Sequence, residues 1–184
     1  MTSTTEKIIS SKRVYEGKII NLRVDTISFS GGSTVTREVV EYAGAVAIVP
    51  VNEKGEIILV KQFRHAVGKL LLEIPAGKLE PGEEPLESAR RELLEETGYE
   101  AADLQRLISF FSTPGFTNEV LHLFLANRLT LKAQDLDDDE SIDVVPVPFE
   151  RAVGLIWKGE ICDAKSIAGI LAAYYLKNKQ VRVY

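Results

Sequence analysis

Residues 77–99 read GKLEPGEEPLESARRELLEETGY, and this stretch decides the fold of the 184-residue chain. Pro85 suits the first turn of a helix, where the missing N–H has no partner to lose, and Gly98 suits the end, where a left-handed residue closes the last turn. Between them Leu86, Ala89 and Leu93 recur at helical spacing and predict a buried face. On another side of the same helix stand Glu92, Glu95 and Glu96, three and four residues apart and therefore surface neighbours. Like charges held that close repel unless a cation offsets them. Arg91, four residues before Glu95, is placed to neutralise it, which leaves Glu92 and Glu96 for a hard divalent ion bound through oxygen, Mg²⁺ or Mn²⁺. A merely solvated helix would alternate its signs, whereas this one stacks acids behind a loop holding Gly77, Pro81 and Gly82.

Outward from this helix the pattern changes to strands. Ser10 to Tyr15, Ile19 to Phe29 and Thr34 to Tyr42 alternate apolar and polar residues, with Gly31-Gly32 as the turn between the last two. Ala43 to Val51 and Glu56 to Gln62 are more continuously apolar, which predicts central strands joined by the polar turn Asn52-Glu53-Lys54-Gly55. Leu107 to Ser112 and Leu121 to Ala126 continue the sheet, Asp135 to Asp143 is an acidic loop, and Val144 to Pro148 is a short strand. Phe149 to Lys158 carries a helical apolar stripe. Asp163 is placed to cap a last helix over Ala164 to Lys177, with Lys177 and Lys179 favourable at its C-terminal end. Helices flanking a mixed sheet give an α+β fold or an α-β-α layering, with antiparallel strands over 1–42 preceding a second part over 43–184.

Hydrophobic residues make up 45% and charged residues 27%, the profile of a globular chain rather than a disordered one. No apolar run reaches the length of a membrane span and the first residues lack a secretion signal, so the expected compartment is the cytoplasm. A single cysteine, Cys162, excludes an intrachain disulfide. The net charge of -5 argues against binding a bulk polyanion such as nucleic acid, so any phosphate recognition must come from a few placed cations and a metal. His65 and His122 are the only histidines and stand at no zinc spacing. Trp157 is expected in the core or at an interface. The strands over Ile8 to Tyr42 are long for what one small domain must cover, which suggests pairing across a two-fold axis in a homodimer.

The 77–99 segment resembles the Nudix box, G-x5-E-x7-R-E-U-x-E-E-x-G-U with U a bulky aliphatic residue. Gly77, Glu83, Arg91, Glu92, Leu93, Glu95, Glu96 and Gly98 fall on its fixed positions, and only Tyr99 departs, being aromatic where the pattern wants an aliphatic. The resemblance implies the Nudix sandwich fold and a Mg²⁺-dependent hydrolase of phosphoric anhydrides. Bound metal neutralises charge on a diphosphate and lowers the pKa of a coordinated water. It also implies the main-chain carbonyl of Ala76 as a third metal ligand beside Glu92 and Glu96, with Glu95 and Arg91 in the catalytic set.

A second resemblance narrows the substrate. Pro114 lies sixteen residues past Gly98, and Pro114-Gly115-Phe116-Thr117-Asn118-Glu119 looks like the downstream signature of the ADP-ribose pyrophosphatase subfamily. Arg37-Glu38-Val39-Val40-Glu41, Lys61-Gln62-Phe63-Arg64 and Leu72-Glu73-Ile74-Pro75-Ala76-Gly77 look like its corresponding segments. The implied reaction splits ADP-ribose into AMP and ribose 5-phosphate. Arg37 and Glu38 match positions that contact the nucleobase or ribose, with Pro114 and Glu119 also on the substrate side. Arg64 is placed to grip a diphosphate in bidentate fashion or, alternatively, to make a surface ion pair. Glu73 is either an acid supporting the site or the partner of a lysine. Glu140 in the acidic loop matches a glutamate that serves as general base in similar proteins, which are dimers whose amino-terminal segments complete the partner's nucleotide pocket. Two alternatives stay open: another nucleoside diphosphate sugar or nucleotide as substrate, and a sensor that binds ADP-ribose without cleaving it. The intact Glu92, Glu95 and Glu96 speak against the sensor.

Overall fold

The computed structural model describes residues 6–136 and 141–179. It divides into two compact units, one built from the chain up to Gly44 together with Phe111–Val120, the other from Ala45–Phe110 and the chain from Leu121 onward.

The first unit is an antiparallel sheet of β1 (Lys7–Glu16), β2 (Asn21–Ser28) and β3 (Thr34–Glu41), in that order. Gly32, at φ +82°, makes the turn into β3 and donates its N–H to the Phe29 carbonyl at 2.9 Å; a left-handed residue is what such a turn needs and glycine supplies it without steric cost. The 111–120 segment docks on the end of β3. Val40 N–H donates to the Phe116 carbonyl at 2.8 Å, and the Asn118 side-chain oxygen accepts Tyr42 N–H at 3.0 Å.

The second unit contains β4 (Ala45–Pro50), β5 (Glu56–Arg64), β6 (Lys69–Glu73), β7 (Ala76–Lys78), α1 (Pro85–Thr97), β8 (Tyr99–Phe111), β9 (Val120–Leu131), β10 (Ile142–Pro148), α2 (Phe149–Trp157) and α3 (Ala164–Lys179). One sheet runs β7-β4-β9-β8, with β4 parallel to β9 and antiparallel to β7, and a second runs β10-β5-β6, antiparallel throughout. Because side chains alternate across a strand, β4 serves two cores at once. Ala47 and Val49 pack with Phe149, Ala152 and Leu155 of α2 and Ile170 and Ala173 of α3, while Val46 and Ile48 pack with Ala89 and Leu93 of α1. The sheet therefore lies between α1 on one face and α2 with α3 on the other, an α-β-α sandwich.

Several elements differ from the sequence expectation. β6 and β7 are short strands in a stretch whose apolar content had no alternation to mark it, and β8 starts directly at Tyr99, where interspersed Glu100 and Asp103 hide the strand period. Leu86 is 38% exposed, because the inward face of α1 is taken by Ala89, Leu93 and Glu96 and Leu86 lies one turn ahead of it. Trp157 is 79% exposed and not in the core; Phe149, Ala152 and Leu155 occupy the inward stripe of α2 and turn its last residue outward.

Candidate functional site

The box helix α1 begins at Pro85, and Gly98 closes it at φ +70° with its N–H on the Leu94 carbonyl at 2.8 Å. Helix ends leave carbonyls without intrahelical donors. Here the segment after β9 supplies them: Gln134 Nε2 donates to the Glu96 carbonyl at 2.6 Å and Asp135 N–H to the Glu95 carbonyl at 3.2 Å. The chain leading toward the acidic loop is thus tied to the last turn of the helix that carries the box carboxylates. Glu140, expected as general base, lies outside the described residues, as do Asp137 and Asp138.

Two of the box carboxylates meet β7. Glu96, 3% exposed, accepts the Ala76 N–H on Oε2 at 2.9 Å. The Glu92 carboxyl lies directly over the α-carbon of Gly77, where a β-carbon would stand only 1.8 Å from its Cδ. A side chain at position 77 and the Glu92 carboxyl cannot occupy that space together, which is the local reason for glycine.

Arg91 is engaged more widely than its spacing from Glu95 alone suggests. Its Nη1 donates to Glu92 at 2.7 Å and to Glu95 at 2.9 Å, and its Nε and Nη2 grip Glu83 at 3.0 Å each. One guanidinium therefore organises three of the box acids. These contacts hold the Arg91 charge well above the usual arginine range, with Glu83 the largest cause, and Arg91 in turn lowers the Glu83 carboxyl to about 2. Arg91 relieves much of the crowding that the sequence assigned to a metal.

Among the described residues no three His, Cys, Asp or Glu side chains close around a common point. A cation here would be held by one or two carboxylates, a main-chain carbonyl and oxygens from water and substrate. That donor set is all oxygen and suits Mg²⁺, which keeps part of its hydration and binds through substrate phosphates. Glu92 on Gly77 and Glu96 on Ala76 fit it.

Arg64 and Glu73 form a second cluster in the same unit. Arg64 Nε reaches the Glu73 oxygens at 3.0 and 3.2 Å and Nη2 reaches Oε2 at 2.6 Å. Burial opposes the Arg64 charge, but the bond to Glu73 and the fields of Glu73, Glu96 and Asp163 more than offset it, and the guanidinium is held above its ordinary range. Glu73 also accepts Lys165 Nζ at 2.7 Å, so of the two readings of Glu73 the lysine partner exists, together with an arginine. The sequence reading missed Lys165. A signal was present, since a lysine in the first turn of a helix opposes the helix dipole and calls for a nearby anion.

In the first unit Arg37, Glu38 and Pro114 line one cavity of about 420 Å³ with Asp25, Phe116 and Asn118. Arg37 Nη2 approaches Glu6 at 3.4 Å. Glu119 accepts the Ser112 hydroxyl, and its N–H donates to Thr117 Oγ1 at 3.2 Å, so it braces the 112–119 loop.

Residues 41–169 match the NUDIX domain, and residues 6–40 match the nucleoside diphosphate sugar hydrolase N-terminal domain. The chain belongs to the Nudix family. An ADP-ribose pyrophosphatase of Bacillus subtilis (strain 168) is 42% identical over 182 residues, covering 98% of this chain and 97% of its own. A methanol dehydrogenase activator of Bacillus methanolicus is 40% identical over 174 residues, covering 94% and 92%. The crystal structure of an ADP compounds hydrolase superposes with a TM-score of 0.88 over 100% of both chains at 23% identity, which establishes the sandwich fold.

Proposed function

We propose that the protein hydrolyses the diphosphate of ADP-ribose to AMP and ribose 5-phosphate in a Mg²⁺-dependent reaction. The observation that carries this reading is the meeting of Glu92 and Glu96 with the Ala76-Gly77 backbone, an oxygen-rich corner behind a box helix. Its substrate rests on the full-length likeness to an ADP-ribose pyrophosphatase. Glu92, Glu96 and the Ala76 carbonyl would hold the cation, Mg²⁺ or Mn²⁺. When bound, such an ion neutralises diphosphate charge and acidifies a water.

The remaining roles belong to the chain itself. Arg91 fixes the positions of Glu92 and Glu95, and the preorganised carboxylates need no rearrangement when substrate arrives. Arg64 contributes a guanidinium to the diphosphate. Arg37 and Glu38 recognise the nucleoside, the first by stacking and the second by accepting from an amino group, in the cavity that Pro114 helps to wall. Glu119 shapes that wall through its loop. Glu73 supports Arg64 instead of touching substrate. Glu140 is the general base of this reading. The working form is a homodimer in the cytoplasm, with the antiparallel sheet of 1–42 serving dimerisation and the nucleotide pocket and 43–184 carrying the hydrolase.

A second reading, another nucleoside diphosphate sugar, is favoured by the broader class that residues 6–40 match. Chromatography of products from ADP-ribose and a panel of nucleotide sugars, with Mg²⁺ and after chelation, decides between them. The expected result is AMP and ribose 5-phosphate from ADP-ribose with the highest kcat/KM, and no turnover once the metal is removed. Binding of ADP-ribose without turnover in Mg²⁺ would overturn catalysis in favour of a sensor.

A further inference from the structure

Arg64 pairs with Lys69 across the β5-β6 ladder, whereas Glu73 pairs with Val60, four residues back along the same face of β5. At about 3.3 Å per residue, that is about 13 Å of strand. The Arg64 and Glu73 side chains therefore lean toward each other along this face until the guanidinium edge meets the carboxylate. Only the Nε and Nη2 edge of the guanidinium is used. Nη1 has no hydrogen-bond partner among the described residues, and the side chain keeps 37% of its surface exposed. The clamp is side-on and leaves one edge to offer.

The same carboxylate carries a second cation. Glu73 is 1% exposed and takes Lys165 Nζ on Oε2, the same oxygen that holds Arg64 Nη2, at 2.7 and 2.6 Å. Lys165 also bonds Asp163 Oδ1 at 2.8 Å, and that oxygen caps α3 by accepting Ser166 N–H at 3.0 Å. A second tie, Ile74 N–H to Ser166 Oγ at 2.9 Å, fastens the end of β6 to the same helix turn. A carboxylate can also accept a guanidinium end-on, through both terminal nitrogens. Oε2 takes three donors, Arg64 Nε and Nη2 and Lys165 Nζ, against one Nε contact of 3.2 Å on Oε1; the lysine, itself tied to Asp163, fixes the angle of the carboxylate, and without it a buried carboxylate short of a donor is free to turn and draw in Nη1 as well.

We propose that Lys165 is a positioning residue: acting through Glu73, it holds Arg64 side-on so that the Nη1 edge stays available to a substrate diphosphate. This rests on the reading of Arg64 as a diphosphate ligand.

The test is steady-state kinetics of ADP-ribose hydrolysis in Mg²⁺ for Lys165→Met, Lys165→Arg, Arg64→Gln and the Arg64→Gln/Lys165→Met pair, with thermal melts of each. The expected result is a KM raised about tenfold in Lys165→Met with a smaller change in kcat, since a charge-assisted contact to the ground state is lost. Lys165→Arg, which keeps the charge and can still reach Glu73, should return KM to within about threefold of the parent. In the Arg64→Gln background the Lys165 change should add little, because the group it positions is gone. A melting temperature that falls while KM stays at the parental value, or effects on KM that simply add in the pair, would overturn the proposal. Should Lys165→Met fail to fold, Lys165→Gln is measured in its place against the same outcomes. Absence of turnover by the unaltered protein would instead refute the proposed function.

Discussion

Gly77 shows how a single missing side chain can matter for chemistry more than for stability. The three atoms nearest a β-carbon there all belong to the Glu92 carboxyl, at 1.8 to 2.1 Å, and that carboxyl is the end of a flexible side chain that can rotate aside. Alanine at 77 should therefore be accommodated by moving Glu92 away from β7. Gly77→Ala is expected to change the melting temperature by no more than a few degrees while reducing Mg²⁺-dependent turnover about a hundredfold or more, as misplacement of a group by an ångström does. Kinetics at saturating ADP-ribose, titrated with Mg²⁺, measure both the loss and any rise in the metal concentration required. Full turnover with a displaced Glu92 would remove that residue from the site. Arg91 is the counterpart of Gly77: its bonds to Glu83, Glu92 and Glu95 hold the acids in place by attraction, where Gly77 does so by leaving space.

At the scale of elements, α1 is held at its C-terminal end by backbone as well as by packing. Gly98 sits at φ +70°, and a β-carbon added there would lie 3.0 Å from the Gln134 backbone nitrogen, an atom that cannot step aside cheaply. Gly98→Ala is thus unlike Gly77→Ala. It should cost about 1–3 kcal/mol from the left-handed conformation alone, and loosen the 132–135 segment from the helix. Chemical denaturation measures the cost, and faster amide exchange at Asp135, whose N–H bonds the Glu95 carbonyl, reports the loosening. The boundaries of α1, α2 and α3, the turns at Gly32 and Gly55 and the alternating strands were legible because their signals are local: a proline, a glycine, a cap, a period. The cap on α3 was legible for the same reason, with Asp163 accepting Ser166 N–H. Pairings across elements were not. No spacing rule links Arg64 to Lys165, about a hundred residues on, because it is the β5-β6 register and the docking of α3 that bring both to Glu73. Likewise Arg91 and Glu95 are a helical pair readable from sequence, whereas Glu83 reaches Arg91 from the loop before the helix.

For the whole molecule, the feature that one chain leaves unexplained is β1. All ten of its residues are exposed, and Ile8, Ile9, Val14 and Tyr15 each leave 48–57% of their surface to solvent, with Ile19 in the following turn at 66%. Long edge strands with apolar side chains are sites of association unless they are covered or guarded by charge. Lys12 and Arg13 interrupt β1 but do not isolate its ends, where the apolar residues gather. A second copy related by a two-fold axis would cover the same patch on both chains. Light scattering at micromolar concentration is expected to give twice the chain mass, and replacing Ile9 and Val14 together by Asp should return single chains, because each buried interface would then hold unpaired carboxylates. Circular dichroism of that variant should retain the sandwich signal, since the second unit has its own two cores. If the unaltered protein is a single chain at that concentration, β1 is not a dimer surface, and the nucleotide pocket of the proposed function must be complete within one chain.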